Sequence, residues 1–372
     1  MRFTILQSQL MSALQKVSGV VPAKSTTPAL ENILFEIQDK ALQITGTDLE
    51  ISLTTSTDVE KVEKPGSIAL PSRVITEMIR SLPEMSIQFE LDENNRIKIT
   101  TDQGVYQIAG ISKENFPEIT KPSEERVIEI DSAKLSRMFS KTLFAVSSDE
   151  LRPALMGVFM QISADEFRMV ATDGHRLSKI IDTGFRYDQD PIQMIIPPKA
   201  IQIALKNIEE EGKTKMVVSD NGLSFMFDET ILYTRLVEGQ YPDYERVIPK
   251  DNDKLVPIDR NLLMASVKRV SIFSSALTHQ IRFSLSDAKL VIYSEDVDIG
   301  GEAREELAVD YHEEEMEIGY NSQYILDILK NINTDEVVLK LKNPVSAALI
   351  SPSSQKEEED LLMLLMPIKL SS

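Results

Sequence analysis

The segment Ala171-Thr172-Asp173-Gly174-His175-Arg176-Leu177 gathers a carboxylate, an imidazole and a guanidinium within four residues. An aspartate beside a histidine could move a proton or offer two donors to a metal. Either use needs company: a nucleophile and an orienting group, or a third and fourth ligand. The chain has three histidines, His175, His279 and His312, so a multi-histidine site would have to recruit all of them. It has no cysteine, which excludes disulfides, thiol chemistry and cysteine-zinc sites. The run His312-Glu313-Glu314-Glu315 reads as a solvated acidic turn rather than a cation site. No GxxxxGK[ST] loop and no GxGxxG after a strand is present, so nucleotide binding is unsupported. The residues point away from an enzyme, and no catalytic residue, metal or cofactor is expected.

The elements that must hold this segment are numerous. At 372 residues the chain is too long for one ordinary core, and two or three domains are expected. The N-terminus MRFTILQSQL lacks a basic stretch followed by an apolar one, and no apolar run approaches membrane-spanning length. The expectation is a soluble, cytoplasmic protein.

One unit recurs three times. Arg2-Phe3-Thr4-Ile5, Val127-Ile128-Glu129-Ile130 and Leu255-Val256-Pro257-Ile258 are short alternating strand signals about 125 residues apart. Each precedes a helical stretch with apolar residues at matched places: Leu10 and Leu14, Leu135 and Phe139, Leu263 and Val267. A second helix repeats over residues 68–82 (IALPSRVITEMIRSL), 195–208 (IIPPKAIQIALKNI) and 318–332 (IGYNSQYILDILKNI). Thr47-Asp48 answers Thr172-Asp173, and Phe116-Pro117-Glu118 answers Tyr241-Pro242-Asp243. Proline- and charge-rich stretches at 121–126 and 249–254 divide the chain into domains 1–121, 127–249 and 254–372. The expected class is α+β, with three repeated β-rich domains, each with two helices covering one side of an antiparallel sheet.

The net charge of −19 argues at first against a nucleic-acid partner, but the distribution reverses that inference. The six repeated helices hold 12 basic residues: Lys16, Arg73, Arg80, Lys134, Arg137, Lys141, Lys199, Lys206, Arg260, Lys268, Arg269 and Lys330. Against them stand only Glu77 and Asp327, so the rest of the chain carries about −29. Arg73/Arg80 and Lys199/Lys206 are seven apart, and Lys134/Arg137/Lys141 follow i, i+3, i+7, which places each set on one helical face. Ordinary amphipathic helices show mixed signs; one dominant sign fits a track for a phosphate backbone, bound without sequence readout. Aromatic residues are 6% with no tryptophan, so duplex DNA is favoured over a stacked single strand.

The segment Ala171 to Leu177 resembles the signature strand and turn of the bacterial DNA sliding clamps, the beta subunits of DNA polymerase III holoenzyme. Residues 42–50 (LQITGTDLE), 238–249 (EGQYPDYERVIP), 316–324 (MEIGYNSQY) and the terminal Met366-Pro367-Ile368-Lys369-Leu370 agree with it, so the resemblance runs from residue 1 to 370. It implies a DNA clamp fold, with two three-domain chains joined head to tail in a ring, sheets outside and helices lining the channel. It also implies a non-catalytic processivity factor that encircles duplex DNA and tethers the DNA polymerase III alpha subunit, other polymerases, repair proteins and the clamp loader through short peptides.

Carried across position by position, the resemblance implies a peptide pocket of Leu155, Thr172, Gly174, His175, Arg176, Leu177, Pro242, Arg246 and Val247. Asn321, Tyr324, Val345, Leu364, Met366, Pro367 and Ile368 complete it. Such an apolar groove with a polar rim suits a short peptide anchored by Leu or Phe. Ile272 and Phe273 match a ring-closing position facing Tyr106 and Ile108 of a second copy. Lys24, Arg73, Arg80, Arg137, Lys141, Arg152, Lys199 and Lys206 are the expected DNA contacts. The loop Arg152-Pro153-Ala154 lacks the aromatic residues often found there, which puts a stacking contact in doubt. Pro198 precedes Lys199 where some members of the family carry a second basic residue, and Ser371 and Ser372 extend past the usual terminal leucine. The charged run 355–360 (QKEEED) reads as a solvated loop. The competing reading is a DNA-associated, peptide-binding scaffold that does not encircle DNA.

Overall fold

The computed structural model describes residues 1–119, 126–209, 211–220, 222–296 and 300–370. The expected linker at 121–125 and the terminal Ser371-Ser372 lie outside the described residues.

Six α-helices occur among the described residues: α1 (Gln7–Ser18), α2 (Ser72–Ser81), α3 (Ser132–Thr142), α4 (Pro198–Asn207), α5 (Arg260–Val270) and α6 (Ser322–Lys330). They coincide with the repeated helical stretches of the sequence. Each buries one apolar stripe, such as Leu10, Leu14 and Val17 of α1 or Ile325, Ile328 and Leu329 of α6. Asn321 caps α6 by accepting hydrogen bonds from the Gln323 and Tyr324 amides, and Asp259 caps α5 through the Leu262 amide.

The strands form four sheets, every recorded pairing antiparallel. The first orders Lys61–Lys64, Arg2–Leu6, Ser86–Leu91, Arg96–Thr100 and Val105–Ala109. The second has eight strands: Arg126–Asp131, Lys213–Ser219, Gly222–Phe227, Thr230–Arg235, Ile51–Asp58, Ala41–Thr47, Asn32–Gln38 and Gly66–Pro71. The third also has eight: Ile192–Ile196, Val158–Ile162, Phe167–Thr172, Arg176–Asp182, Glu359–Leu365, Ala348–Pro352, Glu336–Leu341 and Lys254–Asp259. The fourth runs Gly301–Ala308, Lys289–Asp296, Gln280–Ser286 and Met316–Asn321.

Each eight-stranded sheet takes four strands from one sequence repeat and four from the next. The seams are Thr230–Arg235 against Ile51–Asp58, with Leu232 opposite Leu53, and Arg176–Asp182 against Glu359–Leu365, with Leu177 opposite Leu364. The chain accordingly divides into two compact units, Met1–Ser136 with Lys199–Leu236, and Arg137–Pro198 with Val237–Ser372. The first unit holds the first two sheets and the second unit holds the other two. A repeat in sequence is thus not a closed hydrogen-bonded body. No described helix is long and apolar enough to cross a membrane.

Candidate peptide groove and basic residues

The turn after strand Phe167–Thr172 is built from its own side chains. The Thr172 hydroxyl donates to the Arg176 carbonyl at 2.6 Å and accepts from the Gly174 amide at 3.1 Å. Asp173 Oδ1 accepts from the His175 amide at 2.8 Å and the Arg176 amide at 2.9 Å. Gly174 sits at φ +89°, and a Cβ there would meet an Arg152 guanidinium nitrogen at 3.1 Å. The first repeat contains the same turn. The Thr47 hydroxyl donates to the Ile51 carbonyl and accepts from the Leu49 amide, while Asp48 Oδ1 accepts from the Glu50 and Ile51 amides. Leu49 stands there at φ +79°.

Asp173, His175 and Arg176 all take part in the bonding of this turn. The Arg176 guanidinium binds Asp173 Oδ2 at 3.1 Å, Asp327 Oδ2 at 2.7 Å and the Phe144 carbonyl at 2.8 Å. It also lies 4.6 Å from the Tyr324 ring centroid, whose other neighbour is the His175 ring, stacked at 6.1 Å. Burial, then the charge of Asp173, pushes the Tyr324 phenol above its usual range. The Met366 amide donates to the His175 carbonyl at 2.8 Å, and the Ile368 amide to the Gly319 carbonyl at 2.8 Å, which pins the terminal segment beside the turn. No group of three or more His, Asp or Glu among the described residues is arranged to hold a metal.

Beneath the turn lies an apolar floor. Leu155, Val170, Leu177, Ile195, Tyr241, Tyr244, Ala347, Leu349 and Leu364 form one buried cluster. Burial pushes the Tyr241 phenol far above its ordinary value. Around this floor Pro242 and Arg246 are exposed, and so are Val247 at 55%, Val345 at 78% and Met366 at 39%. Pro367 and Ile368 are half-buried. The structure thus brings Leu155, Leu177 and Leu364 together in the floor, and His175, Tyr324, Asn321 and Met366 together along its side. The sequence reading missed Tyr241, Tyr244, Ala347 and Leu349. The match of Tyr241-Pro242-Asp243 to Phe116-Pro117-Glu118 flagged the first of these without giving it a role.

The basic residues separate into two groups. Lys24, Arg80 and Lys206 are exposed, with no acidic partner among the described residues; Lys16 and Lys268, counted among the helix cations but not among the expected DNA contacts, share that condition. Arg73 is exposed but paired with Glu77 at 3.0 Å, Arg152 pairs with Asp149 at 2.8 Å, and Lys199 reaches Asp48 at 2.6 Å. Arg137 and Lys141 depart from the expected exposed face. Arg137 grips Glu359 through two nitrogens at 2.7 and 2.6 Å. Lys141 is 5% exposed, and its ammonium donates to the Asn331 carbonyl at 2.6 Å and Asn333 Oδ1 at 2.9 Å. The carbonyl-rich end of α6 is a natural seat for a cation, and it takes this one out of reach of a ligand. At the expected closing position, Ile272 is 71% exposed and Phe273 half-buried; Tyr106 is 38% exposed and Ile108 is 9% exposed.

Seams that join neighbouring repeats, an apolar groove and a surplus of cations on the helices define a scaffold that binds other macromolecules. Three domain families of the DNA polymerase III beta subunit match in order: the N-terminal domain at residues 1–120, the central domain at 129–243 and the C-terminal domain at 245–369. A beta sliding clamp of Pseudomonas putida is 32% identical over 372 residues, covering all of both chains. One from Chlamydia muridarum is 30% identical over 371 residues, covering all of this chain and 99% of the relative. Among solved structures, a Pseudomonas aeruginosa sliding clamp superposes with a TM-score of 0.94 at 32% identity over the full length of both chains. A Bartonella birtlesii clamp bound to griselimycin gives 0.92 at 30% identity, again over both full lengths. The chain belongs to the DNA polymerase III beta subunit family, the bacterial sliding clamps.

Proposed function

We infer that this chain is the non-catalytic processivity subunit of a replicative DNA polymerase, a clamp that encircles duplex DNA and holds its partners there through the groove over Leu155, Leu177 and Leu364. Its domains are the three repeats 1–121, 127–249 and 254–372. Its partners are the clamp loader, the polymerase III alpha subunit, and other polymerases and repair proteins that present short apolar peptides. It works in the cytoplasm, and its grip on DNA is independent of sequence.

The observation that carries this reading is the count of sheet seams. Two seams join successive repeats, and in chain order each pairs the third strand of one half-sheet with the fourth strand of another: Ile51–Asp58 with Thr230–Arg235, and Arg176–Asp182 with Glu359–Leu365. Of the two sets left over, Gly301–Ala308 is the third strand of one, and Val105–Ala109 is the fourth of the run Arg2–Leu6, Ser86–Leu91, Arg96–Thr100 and Val105–Ala109 in the other; each is a sheet edge. Pairing these edges between two copies repeats the two seams already made and closes a head-to-tail dimer. Tyr106 and Ile108 then lie on one side of the new seam, with Ile272 and Phe273 in reach from the other. Lys24, Arg80 and Lys206 are the cations best placed to meet phosphates, because no carboxylate among the described residues holds them.

The test is retention after loading. The protein is placed on nicked circular DNA with a clamp loader, the DNA is linearised, and the mixture is filtered at moderate salt. Loss only on linearisation supports the ring. Equal retention on linear and circular DNA favours the scaffold that binds without encircling.

A further inference from the structure

We propose that Arg168 and Lys179 are positioning residues for the peptide groove: they bolt the loop that carries Pro242, Arg246 and Val247 to the sheet without touching the peptide themselves. The proposal rests on the reading of that groove as a peptide site. Arg168 lies in strand Phe167–Thr172 and Lys179 in the neighbouring strand Arg176–Asp182. Val170 stands opposite Lys179, and Thr172 opposite Leu177. By the two-residue period, Arg168, Val170, Leu177 and Lys179 share one face of the sheet. At one end that face supplies the apolar floor, Val170 and Leu177. At the other it supplies two cations.

Both cations converge on a single carboxylate. Arg168 donates through Nη1 to Glu245 at 2.7 Å and to the Tyr244 hydroxyl at 2.8 Å, while Nη2 pairs with Glu166 at 2.7 Å. The Lys179 ammonium lies 3.4 Å from the same oxygen of Glu245. The side chains of Arg168 and Lys179 are only 18% and 10% exposed. Arg168 Nε is buried with no hydrogen-bond partner among the described residues, so the guanidinium is committed through its two outer nitrogens. Glu245 sits in the short 3-10 turn Tyr244–Val247, one residue before Arg246. The Tyr244 ring meets Tyr241 edge-on at 6.3 Å, and Tyr241 stacks on Phe159 at 4.8 Å.

Two partly buried cations on one carboxylate are a costly way to add stability, since desolvation offsets much of the attraction. Their gain is geometric: the charges fix where Glu245 sits, and hence where the next two side chains point. The loop's other ion pair, Arg246 with Asp243, is exposed and internal to the loop, so it cannot tie the loop to the sheet.

The experiment measures binding of a fluorescein-labelled pentapeptide ending in Leu-Phe to the full-length protein by anisotropy, with thermal unfolding in parallel. The variants are Arg168→Met, Arg168→Lys, Glu245→Gln and the Arg168→Met/Glu245→Gln pair. Val345→Asp disables the exposed groove rim, and Lys113→Met breaks an unrelated ion pair with Glu36 as a control. Arg168→Met and Glu245→Gln should each weaken peptide binding about tenfold, the scale of coupling within one hydrogen-bonded network, and the pair should lose little more. Arg168→Lys should recover part of the loss. A lower Tm with the Kd of the folded protein unchanged means that Arg168 only stabilises, and this overturns the proposal. Peptide binding lost in Val345→Asp but intact in Arg168→Met also overturns it and leaves the groove reading standing. No binding to the unmodified protein sinks both.

Discussion

Replacing Lys141 with Met tests the reassignment of a cation from ligand contact to structural strut. Burial, reinforced by the nearby charge of Arg137 and partly offset by Glu359, holds the Lys141 ammonium down to about 8 from 10.5; Lys356 and Arg260 add to the positive field. Below pH 8 the side chain is charged in the folded and unfolded chain alike. Between 8 and 10.5 the folded chain releases the proton while the unfolded chain keeps it, so stability rises with pH through that window. Those two values give a gain of about 2 to 3 kcal/mol between about pH 7 and pH 10. Lys141→Met abolishes this titration while leaving every other group in place. Urea unfolding of both proteins across that range should show the wild type gaining on the variant, with most of the divergence above pH 8. Parallel pH profiles would refute the buried, hydrogen-bonded ammonium. Retention on circular DNA should be the same for both proteins, because this charge is spent within the fold.

Three further outcomes are expected. Val345→Asp, at a 78% exposed position, should abolish pentapeptide binding with Tm unchanged, read by anisotropy and calorimetry. Ile272→Asp, at a 71% exposed position, should turn the dimer into monomer in sedimentation velocity, because a charge placed in an apolar contact is left unpaired. Arg80→Glu and Lys206→Glu should shorten retention on circular DNA, and each should reduce the salt dependence of binding by about one phosphate contact.

The helices were legible from sequence because the apolar stripes of α1 to α6 follow the 3.6-residue period and recur at one spacing. The turn at Thr172 was legible for the same reason as its twin at Thr47: short polar side chains that bond their own backbone leave a local signature. The seams were not. Nothing in strand Thr230–Arg235 announces that its partner is Ile51–Asp58, almost 180 residues earlier, since an alternating strand pairs equally well with many others. The fate of Arg137 and Lys141 was hidden for a related reason. Helical spacing gives a face, but the neighbours of that face, Glu359 and Asn331, come from a distant part of the chain. The partners of Arg176 were hidden in the same way, since Asp327 lies about 150 residues further along the chain.

The two edges left open, Val105–Ala109 and Gly301–Ala308, impose a condition on assembly that affinity alone does not meet. A head-to-tail seam has no internal stopping rule; it adds copies until geometry returns the last edge to the first. If six repeats are to close on themselves, each must turn the chain by about 60° on average. A small error in that turn would leave the seam as strong as before and yield a filament in place of a closed object. The average turn per repeat, and not the strength of the seam, therefore counts copies.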